Sequence, residues 1–347
     1  MKKLFKGITP LAALPLIISL TAPAFGRDLV IVGPGGGYQD TAREHLFKSF
    51  SEATGIAVKD DAFDGQLAKI YAMVDSGDIS QDIVMVGEPE LLRGCEDGLF
   101  EQVDYTVVKQ EKFVEGTARD CGIGGAGWGG AFFYDKSKHP KGPQTTAEFF
   151  DVEAFPGKRS LRASAQQTLE LALLADGVAR DEVYEVLSTE AGVQRAFDKL
   201  DSIREDIVWW TTGAQPVQFV SSGEADFAYG FTGRTLRAIA SDNQDFELAW
   251  ATLLYSVDYW AVVAGSPRKE DAMRMLDWIT DVGPLRAQAA VWPISPAVTE
   301  IVEDEEIRKT NPGMVLNHAD KGLRIGTEFW VTHGEALEAR FAAWAAK

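Results

Sequence analysis

Short apolar segments alternate with helical segments through most of this chain, and that alternation restricts its fold more than any other feature. A buried strand is predicted at residues 29–32, followed by a glycine turn at 33–37 and a helix at 38–53. Further strands are predicted at 56–58 and 82–86, with a helix between them. Strands that alternate with helices form a mainly parallel sheet covered on both faces. The sequence therefore predicts an α/β fold.

The same organisation repeats after a polar, proline-containing connector at residues 135–143, where we expect the chain to cross between two lobes. A second α/β unit is predicted to begin at 157–163. Two separate strands are predicted at 246–254 and 260–264, and an amphipathic helix at 269–280. A length of 347 residues agrees with two domains or lobes.

The stretch from Trp209 to Arg234 carries the strongest signal of a site. Trp209 and Trp210 are predicted to end an acidic helical segment, a short helix follows at 216–221, and a buried strand at 225–231. The strand ends just before Arg234, which places a charged side chain at the carboxyl edge of a sheet, where ligands bind in open α/β folds. The structural alternative is that the tryptophans belong to the core and Arg234 caps a helix.

The first 26 residues have the features of a secretory signal peptide. Three lysines in the first six residues precede an apolar segment at 8–25, and small residues at Ala24 and Gly26 precede a cleavage site. Three prolines interrupt the apolar segment, which favours a cleaved signal over a membrane anchor. No cysteine follows it, so lipid attachment at that point is excluded. We expect a periplasmic protein that is not a lipoprotein.

Charge and cysteine content narrow the classes of function. The formal net charge is −18, which argues against nucleic acid or an anionic membrane as a partner. An acidic surface suits a cationic ligand, although acidity can also serve solubility alone. Cys95 and Cys121 are the two cysteines, and in an exported protein such a pair most simply forms one disulfide.

Enzyme motifs are absent or have simpler explanations. The turn GPGGG at 33–37 lacks the GxGxxG spacing of dinucleotide-binding folds, although its N–H groups could hold an anion. Ser266 to Lys269 matches SxxK but more simply caps the helix that begins there. The four histidines are scattered, and neither HExxH nor GxSxG occurs. We therefore expect no enzymatic activity, no cofactor and no metal.

In their order along the chain, several stretches resemble the periplasmic substrate-binding proteins of ABC transporters, in particular the spermidine/putrescine-binding group. The stretches are LVIVGPGGGYQD, FSEATGIAV, DIVMV with GLFEQVD, SGEADFAYGFTGR, YSVDYWAVVAGSPRKEDAMRMLDWI and VWPISPA. The resemblance covers nearly all of the mature chain. It implies a two-lobed type II binding-protein fold, in which each lobe is a mixed, mainly parallel sheet flanked by helices and a hinge joins the lobes. We predict lobe 1 at 27–134 with 258–304, and lobe 2 at 135–257 with 305–347.

The resemblance also implies a set of ligand-binding residues. The aromatic residue of the family's first lobe falls on Tyr38, with Gln39 beside it, and the hinge aspartate falls on Asp258. A second-lobe tryptophan of the family is replaced by Phe231, and a late tyrosine by Trp292. In the family, aromatic rings pack against the methylene groups of a polyamine and carboxylates hold its ammonium groups.

Departures from the family pattern change the expected ligand. The serine and tyrosine after the third strand are lost, although Glu88 lies between those positions, and two second-lobe acids fall on non-acidic positions, one of them Gln167. Arg234 instead suggests that the ligand carries a carboxylate group. One acid in the first lobe and one arginine in the second suit an ω-amino acid such as 4-aminobutyrate. Trp209 completes the predicted site, although which of Trp209 and Trp210 faces the cleft is left open.

The sequence thus predicts a monomeric solute-binding protein that captures a small amine, either a polyamine such as putrescine or spermidine or an ω-amino acid, and delivers it to an inner-membrane ABC permease. The first alternative is a binding protein for an anion or a ferric complex, in which the glycine turn and Arg234 dominate. The second alternative, a secreted enzyme, lacks any nucleophile–base or metal constellation in the sequence.

Overall fold

The computed structural model describes residues 27–63 and 66–346. The predicted signal peptide at 1–26 lies outside the described residues. In the part of the chain that is described, no helix combines the length and apolar character needed to cross a membrane.

The described residues form eleven strands and fifteen α-helices. The strands are β1 (Leu29–Gly33), β2 (Val58–Ala62), β3 (Ile83–Gly87), β4 (Ala118–Arg119), β5 (Gly122–Asp135), β6 (Arg159–Arg162), β7 (Ile207–Trp210), β8 (Phe227–Phe231), β9 (Phe246–Val262), β10 (Ser295–Pro296) and β11 (Leu323–Arg324). The helices are α1 (Gly36–Ala42), α2 (Lys48–Thr54), α3 (Leu67–Ser76), α4 (Glu88–Glu96), α5 (Thr146–Phe149), α6 (Ala165–Ala175), α7 (Val183–Leu187), α8 (Glu190–Asp201), α9 (Gln215–Ser222), α10 (Thr232–Ser241), α11 (Lys269–Trp278), α12 (Val282–Val291), α13 (Thr299–Glu303), α14 (Glu305–Thr310) and α15 (Thr327–Ala345). A π-helical segment, Arg43–Phe47, joins α1 to α2.

The sheet is mixed, and the strands follow the order β2-β1-β3-β9-β5-β8-β6-β7. At one end β1 pairs in parallel with both β2 and β3. At the other end β6 pairs in parallel with both β7 and β8. The long strands β5 and β9 lie between these groups and run antiparallel to each other. Each end of the sheet therefore has the strand–helix organisation predicted for an α/β fold, with a crossing pair of strands between the ends.

The crossing strand β9 differs from the sequence-based expectation of two separate strands at 246–254 and 260–264. It is continuous over Phe246–Val262 and pairs with β3 through Asp258 to Val262. Side chains alternate along a strand, so Ser256 and Asp258 share one face while Val257 and Tyr259 are buried on the other. The polar residues within a buried strand caused the prediction of a break.

The expectation that Trp209 and Trp210 end a helical segment is wrong. Both lie in β7, which pairs in parallel with β6 and joins Trp209 to Leu161 in register. The β-branched pair Ile207 and Val208 followed by two aromatics fits a pleated, half-buried strand better than a helix. The short helix predicted after them is confirmed as α9.

The first half of the sheet is covered on both faces. Leu29 and Ile31 pack on one face with the helix residue Phe47. Val32 packs on the other face with Ile70 of α3. Successive residues of a strand point to opposite faces, so β1 contributes to both cores, as a strand buried on both sides should.

The second half has its own core, built around β6, β8 and α6. Phe132 of β5 stacks on Phe149 with ring centroids 4.0 Å apart, and Trp330 and Phe341 of α15 pack into the same cluster. Helix α15 also packs against α4 in the first half and α6 in the second. The C-terminal helix therefore bridges the two ends of the sheet beside the crossing strands.

A disulfide links Cys95 at the end of α4 to Cys121 just before β5. Both cysteines are paired, as the sequence predicted. The bond ties α4 to the start of a crossing strand and closes a loop with a sequence separation of 26.

Candidate functional site

A cavity of about 370 Å³ opens where the carboxyl end of β3 meets the crossing strands. The beginning of α4, the kinked start of α6 and one side of α15 complete its walls. Its lining residues are Gly87, Glu88, Pro89, Glu90, Trp128, Gln166, Ser256, Asp258, Ile325, Thr327, Trp330, Gly334, Glu335 and Glu338. The cavity therefore combines residues from both ends of the sheet and is rich in carboxylates.

Asp258 is the central acidic residue of this cavity. The Trp128 indole Nε1 donates a 2.9 Å hydrogen bond to Asp258 Oδ1. Among the residues that the structure describes, no Arg, Lys or His lies within ion-pair distance of this carboxylate. Burial raises the pKa of Asp258 to about 7, the bond from Trp128 opposes the rise, and the charge of Glu90 adds to it. An ionised Asp258 therefore lacks a cation, which a ligand could supply.

Tyr38 lies close enough to Asp258 for their charges to interact. Burial, and after it the negative charge of Asp258, raises the pKa of the Tyr38 phenol, while a hydrogen bond from the Trp260 indole opposes the rise. Tyr38 belongs to α1, which follows the glycine turn after β1. Tyr38 and Asp258, predicted from distant parts of the sequence, therefore share one environment.

Trp292 lies against the glycine turn beside Tyr38. A Cβ atom built on Gly37 would stand 2.2 Å from Cη2 of the Trp292 ring, so glycine is required for this close approach. The guanidinium of Arg237 in α10 lies 5.4 Å from the Trp292 ring centroid. This cation–π contact joins the second half of the sheet to the aromatic residues of the first half.

Phe231 packs against Trp128, the residue whose indole binds Asp258. Its ring packs edge-to-face with Trp128, with centroids 5.9 Å apart, and with Trp210 at 5.5 Å. Trp210, rather than Trp209, thus contacts Phe231, which in turn packs against the cavity residue Trp128. Trp209 packs instead against Phe341 and Trp344 of α15.

Glu88 lines the cavity but already has protein partners for its charge. It forms ion pairs of 2.6 Å with Arg119 and 2.9 Å with Arg324, and accepts a 2.8 Å hydrogen bond from Thr327. Burial raises the pKa of Glu88, but Arg324, Thr327 and Arg119 outweigh burial and hold the pKa below its usual value. These contacts tie α4 to β11 and to the first turn of α15.

Of the eight predicted ligand-binding residues only Glu88 and Asp258 line the cavity, and Gln39 and Arg234 have other surroundings. Gln39 is buried and donates a 2.9 Å hydrogen bond from Nε2 to Asp60 of β2. Arg234 is exposed in the first turn of α10, beside Gly213. Within the described chain Arg234 has no ion-pair partner, so its guanidinium is available to an anion.

The predicted set omits Glu90 and Trp128. Glu90 stands two positions after Glu88, and among described residues it has no ion pair and interacts with Asp258. Trp128 stands between glycines in β5, opposite Ser256 of β9. The sequence feature that could have identified Trp128 is its position between glycines, which leave room for a large ring. The signal for Glu90 was its position in the first turn of a helix that begins at a strand end.

A second, more open cavity of about 500 Å³ lies at the far end of the second half. Lys138, His139 and Lys141 line it together with Phe155 and Phe227, and it contains none of the predicted site residues. Across the described part of the chain, no cluster of three or more His, Cys, Asp or Glu residues could hold a metal ion. The smaller, acidic cavity is therefore the candidate functional site.

Comparison with known proteins gives a consistent result. The model of the family described as bacterial extracellular solute-binding protein matches residues 45–314. A gamma-aminobutyric acid-binding protein of Pseudomonas aeruginosa is 37% identical over 335 residues, which cover 96% of this chain and 95% of that protein.

Solved structures show the same similarity in three dimensions. A structure described as a GABA receptor superposes with a TM-score of 0.81 at 29% identity and covers 92% of this chain and 98% of the other. An ABC transporter substrate-binding protein from Bradyrhizobium japonicum superposes with a TM-score of 0.82 at 27% identity, covering 92% and 99%.

Proposed function

The chain belongs to the family of bacterial extracellular solute-binding proteins, and from that premise we propose that it captures an ω-amino acid of the size of 4-aminobutyrate. Its fold is the two-lobed α/β fold of periplasmic binding proteins. Members of this family bind solutes for transport, and the chain is accordingly a binding protein rather than an enzyme.

The ammonium end of the ligand is proposed to bind at Asp258. This carboxylate lines the cavity, is held by Trp128 and has no cation partner in the described chain. Glu90 adds a second negative charge nearby. A charge-assisted hydrogen bond from a ligand ammonium would neutralise Asp258 where water is scarce, and bonds of this type are stronger than neutral ones. The unpaired Asp258 is the observation that carries the proposal.

The methylene groups of the ligand are proposed to pack among the aromatic side chains around Asp258. Tyr38 interacts with the charge of Asp258, and Trp128, which binds Asp258, packs against Phe231. Aromatic faces attract cations and bury apolar carbon at the same time. Trp292 beside the glycine turn adds a further ring near Tyr38.

The carboxylate end is proposed to bind Arg234. Its guanidinium is exposed at the carboxyl edge of β8 and is unpaired within the described chain. A planar guanidinium matches a carboxylate in a two-point contact. The other predicted residues, Gln39, Glu88 and Trp209, are proposed to stabilise the site rather than to bind the ligand, because each has protein contacts that hold its position.

Closure of two lobes around the ligand would bring Arg234 towards Asp258. We place lobe 1 at 27–134 with 258–304 and lobe 2 at 135–257 with 305–347. Ile307 and Met314 pack in the core of the first half, which favours moving residues 305–314 to lobe 1.

We further propose that the protein acts as an exported monomer, with residues 1–26 as its cleaved signal peptide, and delivers its ligand to an ABC permease.

A polyamine is the second candidate ligand. The cavity contains Glu90, Glu335 and Glu338 in addition to Asp258, and excess carboxylate favours a ligand with more than one ammonium. Glu338, however, already accepts hydrogen bonds from Ser164 and from the backbone of Ala165 and Gln166. The acidity of the cavity disfavours an anion or a ferric complex.

Isothermal titration with 4-aminobutyrate and with putrescine tests the proposal. We expect Asp258→Asn to weaken both ligands and Arg234→Ala to weaken 4-aminobutyrate alone, because putrescine has no carboxylate. Arg274→Ala, an exposed arginine on α11, serves as the control and should change neither affinity. If Arg234→Ala left 4-aminobutyrate binding intact, the zwitterion assignment would be wrong. If neither compound bound to the wild-type protein, both 4-aminobutyrate and putrescine would be excluded as its ligands.

A further inference from the structure

The start of α6 is an irregular turn that forms one wall of the cavity. Gln166 has φ −62° and ψ 134°, and Gln167 has φ 76° and ψ −42°. Gln167 is one of two non-glycine residues with positive φ in the described chain. Side chains other than glycine rarely adopt this conformation, and where they do, the surrounding structure must hold it in place.

The Gln167 side chain does not hold the turn. It is fully buried, yet neither its Oε1 nor its Nε2 has a hydrogen-bond partner among the described residues. Glycine would adopt the same backbone conformation without the steric cost. The conformation of the turn therefore depends on contacts made by other residues.

Two carboxylates hold the turn from opposite sides. The backbone N–H of Gln167 donates a 2.8 Å hydrogen bond to Glu170 Oε2. Glu338 of α15 accepts hydrogen bonds from the backbone N–H groups of Ala165 and Gln166, at 3.0 and 3.2 Å. Each carboxylate thus fixes the direction of a neighbouring peptide group.

Glu170 is a buried acid that the proposed ligand contacts leave unexplained. It is fully buried and also accepts hydrogen bonds from Trp330 Nε1 at 2.7 Å and from Tyr184 Oη at 3.2 Å. No basic side chain of the described chain forms an ion pair with it. Burial raises the pKa of Glu170 to about 7, although hydrogen bonds oppose the rise. A buried carboxyl without a cationic partner lowers the stability of the fold. Its presence here therefore suggests a role in function.

The direction of the Gln166 carbonyl supplies such a reason. In a trans peptide the C=O of one residue and the N–H of the next point in opposite directions. The N–H of Gln167 points into the lobe at Glu170, so the C=O of Gln166 points outward. Gln166 lines the same cavity as Asp258, and from this we infer that its carbonyl oxygen is directed into that cavity.

We propose that Glu170 is a positioning residue that holds this turn so that the carbonyl oxygen of Gln166 accepts a hydrogen bond from the ammonium of the ligand. The inference rests on the proposed function, because it assumes an ammonium at Asp258. Glu170 and the ligand would then contact opposite ends of one peptide group.

Ligand titration of Glu170 variants tests this role. Glutamine at position 170 has one acceptor oxygen and an NH2 group that only donates, so it cannot accept all the hydrogen bonds that the two carboxylate oxygens accept. Glu170→Gln should therefore weaken 4-aminobutyrate by roughly tenfold, the effect of losing one charge-assisted hydrogen bond. In the double variant Glu170→Gln with Gln167→Gly, glycine favours the positive φ without help, and affinity should return to within about threefold of wild type. Unchanged affinity in Glu170→Gln, or no rescue by glycine, overturns the proposal.

A matched pair at position 167 tests the turn without any ligand. Gln167→Gly and Gln167→Ala both remove the buried amide and differ mainly in their tolerance of positive φ. We expect the glycine variant to melt at a higher temperature than the alanine variant, the reverse of their order at an ordinary helical position. A higher melting temperature for the alanine variant would contradict a positive φ at position 167, on which the proposed role of Glu170 depends.

The two proposals fail in distinguishable ways. If wild-type protein binds 4-aminobutyrate but Glu170→Gln binds it equally well, the role of Glu170 is wrong and the proposed function stands. If wild-type protein binds no amine, the proposed function fails, and the ammonium contact at Gln166 fails with it.

Discussion

The indole nitrogen of Trp128 donates a 2.9 Å hydrogen bond to Oδ1 of Asp258, and the two residues stand on adjacent crossing strands. No residue of the described chain donates a hydrogen bond to Oδ2 of this carboxylate, and Asp258 lines a cavity that also contains Glu90. A carboxylate fixed on one side and unpaired on the other is a directional acceptor for a cation. The proposed binding of a ligand ammonium at Asp258 depends on this arrangement.

Ligand affinity should fall in acid. Burial raises the pKa of Asp258 to about 7, and the ammonium of the ligand binds the ionised form. At pH 6 only about a tenth of the protein would carry the ionised form, so affinity should be about tenfold weaker than at pH 8. Titration calorimetry across this range checks the prediction, and Asp258→Asn should show a much flatter profile. A wild-type affinity that is equal at pH 6 and pH 8 would contradict the assignment.

The ligand-free protein should gain stability when Asp258 loses its charge. The unfolded aspartate ionises near pH 4, whereas burial raises the folded pKa to about 7. Between those values the folded state binds the additional proton, so the free energy of unfolding falls as pH rises through this window. Asp258→Asn should therefore be more stable than wild type at pH 8, by on the order of 2–4 kcal/mol.

Urea unfolding without ligand measures this difference. The advantage of Asp258→Asn should shrink towards zero near pH 4.5, where the folded wild-type carboxyl is protonated. Asp245→Asn, an exposed residue just before β9 that pairs with Lys136, is the control and should differ little from wild type. A less stable Asp258→Asn protein at pH 8 would count against an unpaired buried charge.

Substitution of Glu88 should lower the stability of the protein, whereas substitution of Glu90, two residues away, should lower its affinity for the ligand. Glu88→Gln removes the charge that pairs Arg119 and Arg324. It should lower the free energy of unfolding by about 2–4 kcal/mol, less than for a dry ion pair because both guanidinium groups are partly exposed. Glu90→Gln should leave stability nearly unchanged and weaken an amine ligand. Denaturant unfolding and titration of both variants make the comparison, and equal behaviour would refute the separation of roles.

The disulfide should stabilise the fold without affecting the ligand. Cys95 and Cys121 close a loop with a sequence separation of 26, which corresponds to about 3.5 kcal/mol in the chain-entropy model. The double variant Cys95→Ala with Cys121→Ala should unfold at a correspondingly lower denaturant concentration and bind 4-aminobutyrate with wild-type affinity. Neither cysteine lines the cavity, so a large loss of affinity would show a coupling that the contacts do not suggest.

The alternation of strands and helices predicted the class of fold because strands such as β1 and β3 end at a glycine, Gly33 and Gly87, just before a helix. The same reasoning failed at β9, where Ser256 and Asp258 interrupt an apolar run. Ser256 and Asp258 are polar because they line the cavity. Hydrophobic periodicity alone cannot distinguish such a polar position within a strand from a turn.

The structure brings some of the predicted site residues together and separates others. Tyr38 and Asp258 could be predicted because they stand in ordered motifs of a known family, and the structure brings them together. The charge of Glu88 suggested a ligand contact, but Arg119 and Arg324 approach it from distant parts of the chain. Ion pairs of this kind depend on tertiary contacts, which a single sequence does not reveal.

A crystal structure with 4-aminobutyrate bound would test the central claim most directly, through one distance. The account predicts the ligand nitrogen within about 3.2 Å of an Asp258 carboxylate oxygen, with the ligand carboxylate directed towards Arg234. A ligand bound outside this cavity, or one whose carboxylate instead faces Asp258, would contradict it.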